Sequence, residues 1–254
     1  MTTATALPAT GAGTASPPAS PPASPSASPT AARPLVRPGR PGEEDAIAAV
    51  LAAAFADDAL MHWAFPDPGH RARVMPAFFR FHVDHCLERR GVLVAHRATN
   101  DDGDGDGGSG GGLAGEPLGA LLFLPSGSWE GPEHGDGTDD DALAEAIEAP
   151  THPLEAGRLA AITRLQAQRH PRHRPHHYLA FVGVHPGARR TLTGHALAHA
   201  FRAEVDTAGQ AAYTETSSPA GARLAAAHGF TPFGAAIALP GGGPRLAPAW
   251  RGPR

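Results

Sequence analysis

One stretch narrows the choice of folds more than any other: His177 to Gly194, reading His-Tyr-Leu-Ala-Phe-Val-Gly-Val-His-Pro-Gly-Ala-Arg-Arg-Thr-Leu-Thr-Gly. Tyr178 to Val184 is a nearly unbroken apolar run, the pattern of a strand covered on both faces. His185-Pro186-Gly187 ends it, since proline and glycine punctuate a chain. Thr193 has the hydroxyl expected of an N-cap. Behind it Leu197, Ala200, Phe201, Val205 and Ala208 recur at helical spacing. Strand, basic loop and helix N-terminus in that order present free amides and the positive end of a dipole to the loop, and Arg189 and Arg190 add two fixed charges. A phosphorylated ligand suits such a place. The plainer reading, a buried strand and a surface loop with two solvated arginines, stands beside it.

The stretch resembles the acyl-CoA-binding motif of the GCN5-related N-acetyltransferases (GNAT), Val-x-Pro-x-x-(Gln/Arg)-Gly-x-Gly-x-(Gly/Ala). Val184, Pro186, Arg189 and Gly194 fall on four of its positions without a gap. Downstream, Ser218 to Phe230 resembles a second motif of the family, Asn-x-x-Asn-x-x-Leu-Tyr-x-x-x-Gly-Phe, through Pro219, Leu224, His228, Gly229 and Phe230. The resemblance runs from about Pro34 to the C-terminus. It departs from the family at Arg190 and Leu192, where glycines are usual, and at Gly221 and Ala225, where Asn and Tyr are frequent. Glycine lets backbone approach a phosphate and take positive φ, so a side chain at both loop positions narrows or reshapes the loop.

Composition sets outer limits. Every basic residue is arginine, and Asn100 is the only asparagine, as a biased coding background would give. The net charge of −4 comes without a basic block, which argues against a nucleic-acid partner. Cys86 is the only cysteine, so no internal disulfide can form and a reducing cytoplasm fits. No apolar run approaches the ~18 residues of a membrane span, and the N-terminus lacks the pattern of a signal peptide.

Residues 1–33 are almost all Ala, Ser, Thr, Pro and Gly, with no charged side chain before Arg33, and are expected to form a disordered tail. The expected domain spans 34–254. Leu35-Val36-Arg37 reads as a strand, and Glu43 onward as a helix with Ile47, Val50, Leu51, Ala54 and Phe55 inward. Asp57 to Pro68 reads as a loop, and Gly69 to Arg90 as a second helix. Strands are expected at Gly91–Arg97, Pro117–Pro125, Ala211–Thr216, Gly234–Leu239 and Leu246–Arg251, and helices at Ala142–Glu148 and Leu154–Arg169. Mobile loops are expected near 100–112 and 126–140; the aspartates of the first lack the closing glutamate of a calcium loop. The fold class is then α/β, a GNAT-like mixed, mostly antiparallel sheet of about six or seven strands flanked by helices.

The resemblance implies an N-acetyltransferase that moves an acetyl group from acetyl-CoA, as cosubstrate, to a small amine. Val182, Gly183, Val184, Arg189, Arg190, Thr191, Thr193, Gly194 and His195 would bind the cofactor, and Trp63, Phe65, Phe78 and Phe79 would wall the acceptor. For each of those aromatics, core packing is the competing reading. Glu215 is the candidate catalytic group, holding the amine or acting through a water, against the alternative of a carboxylate paired with an arginine. His177 and Tyr178 begin the central strand nearby. The alternative function is a catalytically impaired relative that binds acyl-CoA or another ligand as a sensor or partner, because the Tyr of the second motif is Ala225. His195 with His199, and His82 with His85 and Cys86, have metal-like helical spacing but no further ligand, so no metal site is expected.

Overall fold

The computed structural model describes residues 34–98, 115–127, 143–149 and 152–254. The expected tail, the loop at 100–112 and residues 128–140 of the second loop lie outside them. All described elements belong to one unit, Ala32–Arg254.

The chain begins with β1 (Leu35–Pro38), α1 (Glu44–Phe55), α2 (Ala59–Ala64), α3 (Pro68–Glu88), β2 (Val92–His96) and β3 (Gly119–Leu124). After a short helical turn at 143–146 come α4 (Pro153–Arg169), β4 (His176–Val184) and a 3-10 turn at Pro186–Ala188. The chain closes with α5 (Thr193–Thr207), β5 (Ala211–Thr216), α6 (Pro219–Ala227), β6 (Thr231–Pro232), β7 (Ile237–Ala238) and β8 (Arg245–Arg251). The strand order is β1-β2-β3-β4-β5-β8-β6, with β7 paired to β8. Among the described strand pairs only β4–β5 is parallel.

The α/β class and the mostly antiparallel mixed sheet are as the sequence leads one to expect. The strand count is eight because β6 and β7 are two-residue pieces. Of the expected strand Gly234–Leu239 only Ile237–Ala238 pairs, and the turn before it holds Gly234 at φ 69°. Asp57 to Pro68 is not all loop. Asp58 accepts from the Leu60 amide and caps α2, and Asp67 accepts from the His70 amide and caps α3.

Alternation along β2 and β3 divides the core in two. Val92, Val94, Ala120, Leu122 and Leu124 face a cluster with Ile47, Leu51, Phe65, Phe78, Phe79 and Leu159 of the first four helices. Ala95, Leu121 and Phe123 face the other side, where Leu197, Phe201 and Val205 of α5 meet Phe230. The aromatic set proposed to wall an acceptor is mostly core: Phe65, Phe78 and Phe79 are buried with α1 and the sheet. Trp63 packs against that core with Arg158 over its ring.

Candidate active site

β4 carries the site because it is longer than its pairing with β5. On one side it pairs with β3 along its length, from Tyr178 opposite Leu124 to Val184 opposite Gly119. On the other it pairs with β5 only from His176 opposite Ala211 to Leu179 opposite Thr214. The register shifts by one residue where Leu122 faces Phe181 and Phe123 faces Leu179, which leaves Ala180 as a bulge in β4. Past that bulge β4 and β5 part, and β5 continues along β8 to Thr216. The β5-facing backbone of Ala180 to Val184 has no strand partner among the described residues, and it lines a cavity of about 560 Å³. The bulge also puts Tyr178 and Phe181 on the helix α1–α3 side, with Leu179 and Val182 on the α5 side.

Helix α1 forms one wall through Ala54 and Phe55. It lies against β4 because residue 183 is glycine: a Cβ there would stand 2.7 Å from Leu51 Cδ2 and 2.9 Å from Ala54 Cβ. Phe55 meets Phe181 edge-on at 5.8 Å between ring centroids. Leu224 and Ala225 of α6, with Phe230, add apolar surface opposite.

The expected cofactor residues fall into two groups. Val182, Gly183, Val184 and Arg189 line the cavity. Arg189 donates from Nη2 to the Ala54 carbonyl at 3.1 Å, which ties the basic loop to the last turn of α1. Arg190, Thr191, Thr193, Gly194 and His195 lie outside the lining, in the loop and first turn of α5. Their local structure follows from side-chain hydrogen bonds. His185 Nδ1 accepts from the Gly187 amide and sets the 3-10 turn. The N-cap of α5 is Leu192, not Thr193, which is buried at the first helical position. Thr191 supplies the capping oxygen instead, accepting from the Thr193 amide at 3.3 Å. Its own hydroxyl donates to the Ala188 carbonyl at 2.6 Å, so in the 2.8 Å contact between the two hydroxyls Thr193 is the donor. Arg190 takes φ 65°, the left-handed conformation that glycine adopts without strain. The His195 ring stands 3.1 Å from His228, and Gly194 rests near Val184 and Leu224.

Glu215, the carboxylate that sequence reasoning named, lines the cleft. Tyr178 donates its hydroxyl to Glu215 Oε2 at 2.8 Å, and Gln166 of α4 donates to the same oxygen at 3.4 Å. Among the described residues no arginine pairs with it. Burial pushes the Glu215 carboxyl above the ordinary carboxylate value, and the neighbouring Tyr213 and Tyr178 phenols and Gln166 act against that rise. Burial, with the adjoining Glu215 carboxylate, pushes the Tyr178 phenol well above its usual value and keeps it a donor. His177 does not join them. It is buried on the α5 side, stacked on Phe123, and burial lowers its pKa.

Two lining carboxylates escaped the sequence reading, Asp57 and Asp58. Asp58 caps α2 with one oxygen and accepts from Ser217 Oγ at 3.0 Å with the other, which joins the α1–α2 corner to the end of β5. The signal that could have found it was the N-cap itself, an Asp before a short apolar run. Gly221 and Ala225 also line the cavity, so the side chains frequent in the family are missing from its wall.

No family model matches the chain, and no curated protein matches it. Solved structures do. A histone acetyltransferase HPA2 and related acetyltransferase from Corynebacterium glutamicum is similar over 87% of this chain and 97% of its own, with a TM-score of 0.60 and 24% identity. A polyamine N-acetyltransferase from Drosophila melanogaster, which catalyses formation of N-acetylagmatine, is similar over 85% of this chain and 98% of its own, with a TM-score of 0.55 and 14% identity. An agmatine N-acetyltransferase is similar over the same shares, 85% and 98%, at 0.53 and 16%. By its strand order, its parting of β4 from β5 and these likenesses, the chain has the fold of these solved acetyltransferases.

Proposed function

We propose that this protein is an N-acetyltransferase that uses acetyl-CoA as cosubstrate and a small cationic amine as acceptor. One observation carries the reading: the unpaired edge of β4 from Ala180 to Val184 opens into the same cavity as Glu215. An extended ligand arm bearing amides satisfies such an edge as an added strand would. Arg189 and Arg190 and the start of α5 offer positive potential to a pyrophosphate at the end of that arm. Acetyl-CoA supplies the acetyl group as a thioester.

The chain's own residues do the rest. Glu215 holds the acceptor as an ammonium and removes a proton from it, for which a carboxyl titrating above its usual range is suited. Tyr178 and Gln166 fix the position of the accepting oxygen. The freed amine attacks the thioester carbonyl, the carbon–sulfur bond breaks, and the departing thiolate takes up the second proton that the nitrogen sheds and leaves as the thiol. Amides of β4 polarise the carbonyl. Asp57 and Asp58, across the cavity, favour a second positive charge on the acceptor. The structural neighbours that act on polyamine and agmatine point the same way.

Ala225 favours a second reading, a protein that binds acyl-CoA without turnover, since no phenol stands there to protonate the thiolate. One experiment separates the two. Acetyl-CoA is titrated calorimetrically into the protein, and thiol release is then followed with agmatine, spermidine and an uncharged primary amine. Binding with turnover of the charged amines supports the transferase; binding without turnover of any amine supports the second reading. No binding at millimolar cofactor overturns both.

A further inference from the structure

Away from the cleft, the first turn of α3 meets the start of α4 in a cluster that the proposed reaction does not use. His70 and Glu155 are 1% and 4% exposed. The imidazoles of His70 and His152 stack, 3.5 Å between centroids and 17° apart. At one edge of the stack Glu155 Oε2 touches His70 Nδ1 and lies 3.9 Å from His152 Nδ1. At the other edge Glu148 Oε2 lies 3.3 Å from His70 Nε2 and 3.6 Å from His152 Nε2, and it also meets Arg73. The donor atoms of His70, His152 and Glu155 lie within 4.8 Å of one another, and among the described residues this is the one such group.

Its polar atoms are not accounted for by hydrogen bonds. Both ring nitrogens of His70 and Oε2 of Glu155 are buried without a hydrogen-bond partner among the described residues, although His70 and Glu155 touch. Their contact does not have hydrogen-bond geometry. Buried imidazole nitrogens and a buried carboxylate oxygen left in that state are costly. A shared cation at the Nδ1 edge removes that cost. Two imidazole nitrogens and one carboxylate oxygen are a donor set that suits zinc, with solvent in the fourth position. Glu148 stands where an outer carboxylate fixes the Nε2–H tautomer of a ligating histidine and leaves Nδ1 for the metal.

We propose that His70 Nδ1, His152 Nδ1 and Glu155 Oε2 bind one divalent transition-metal ion, zinc by their chemistry. The ion ties the start of α3 to the start of α4. It thereby steadies the helix whose last turns place Gln166 on Glu215. Among the described residues, the pair His195 with His228 forms no such group with a carboxylate. His152, the partly exposed member, is the side chain able to turn inward on binding.

The test uses the untagged full-length protein, stripped with chelator and titrated with Zn²⁺ alone and with Co²⁺ alone. The expected result is one ion per chain, a higher melting temperature with Zn²⁺, and visible Co²⁺ bands of a four-coordinate nitrogen–oxygen site. His152→Ala and Glu155→Gln are each expected to weaken Zn²⁺ binding by at least about tenfold, while metal-free melting stays within a few degrees of wild type. His199→Ala, an exposed histidine elsewhere, is expected to bind as wild type does. Absence of stoichiometric binding, or wild-type affinity in either His152→Ala or Glu155→Gln, overturns the site. His152 lies at the rim, so its variant decides the matter even if His70→Ala fails to fold.

Discussion

At the scale of single residues, the two departures from the glycines of the motif that the loop resembles are not equivalent. Leu192 sits at φ −79°, open to any residue, whereas Arg190 is held at 65°. The left-handed conformation costs a non-glycine residue roughly 1–2 kcal/mol, and glycine would forfeit about 0.4–1 kcal/mol through a freer unfolded chain. Arg190→Gly is therefore expected to stabilise by about 0.5–1 kcal/mol and to raise the melting temperature by about 2–3 °C, which a thermal melt reads directly. Glu215 gives a test with a sign. Its folded pKa lies above the ordinary 4.5, so folding favours the protonated form. That contribution is complete below the unfolded value and is lost as pH rises through the folded one. At neutral pH the charged carboxylate is held at a cost, and Glu215→Gln is expected to melt higher than wild type, with the gap closing as pH falls towards about 4. The same change should lower kcat by about 10²–10⁴-fold. In wild type, activity should fall on the acid side with a midpoint above the usual carboxylate range, because the protonated oxygen accepts no proton. A Gln variant with unchanged kcat would leave Glu215 as a purely structural group.

At the scale of elements, the cleft depends on how closely α1 approaches β4. Gly183→Ala places a methyl against the Ala54 Cβ, which is fixed to the helix, as well as against the mobile end of Leu51. The helix has to retreat, at a cost of about 1–3 kcal/mol, and it takes with it the Ala54 carbonyl that Arg189 holds. Lower stability in a denaturant melt together with weaker acetyl-CoA binding is the expected pair of outcomes. The elements that the sequence revealed were those whose pattern is local. β4 showed as an apolar run, and α1 and α5 showed as helical stripes. Elements set by tertiary contact did not show. α2 is six residues long and begins at an aspartate cap, too short to display a period. β6 and β7 exist because β8 offers each of them a partner. The aromatic residues near Trp63 were read as an acceptor wall, but Phe65 and Phe79 are core because α1 and α3 cross there and leave no opening. Glu215 was named through the resemblance, from its place on the strand after the cofactor helix, and it does line the cavity. Its hydrogen bond from Tyr178 was not legible, since it depends on β4 and β5 being parallel neighbours and on a bulge at Ala180. The grouping of His70 with His152 and Glu155 was equally hidden, because it joins two helices distant in sequence.

At the scale of the whole molecule, one sheet with a core on each face and a gap between two of its central strands has to unfold as a unit. Neither core survives without the strands they share. Cys86 reports on that unit. It is 3% exposed in the larger core, between α3 and the sheet, and burial pushes its thiol up to about 12. Thiolate is the reactive form, so the folded protein should be inert to thiol reagents at neutral pH. Two consequences follow for the experiments above. Thiol release from acetyl-CoA can be measured without interference from the protein's own cysteine. The slow labelling of Cys86 that does occur should also measure the population of the unfolded chain. Ligands that bind only the folded state lower that population by the factor 1 + [L]/Kd. Acetyl-CoA at about 100 times its Kd should thus slow labelling about 100-fold, and Zn²⁺ at the His70 site should slow it by its own factor. If labelling stays fast and indifferent to both ligands, Cys86 is reached by local opening of α3, and the molecule does not unfold as the single cooperative unit its two shared cores imply.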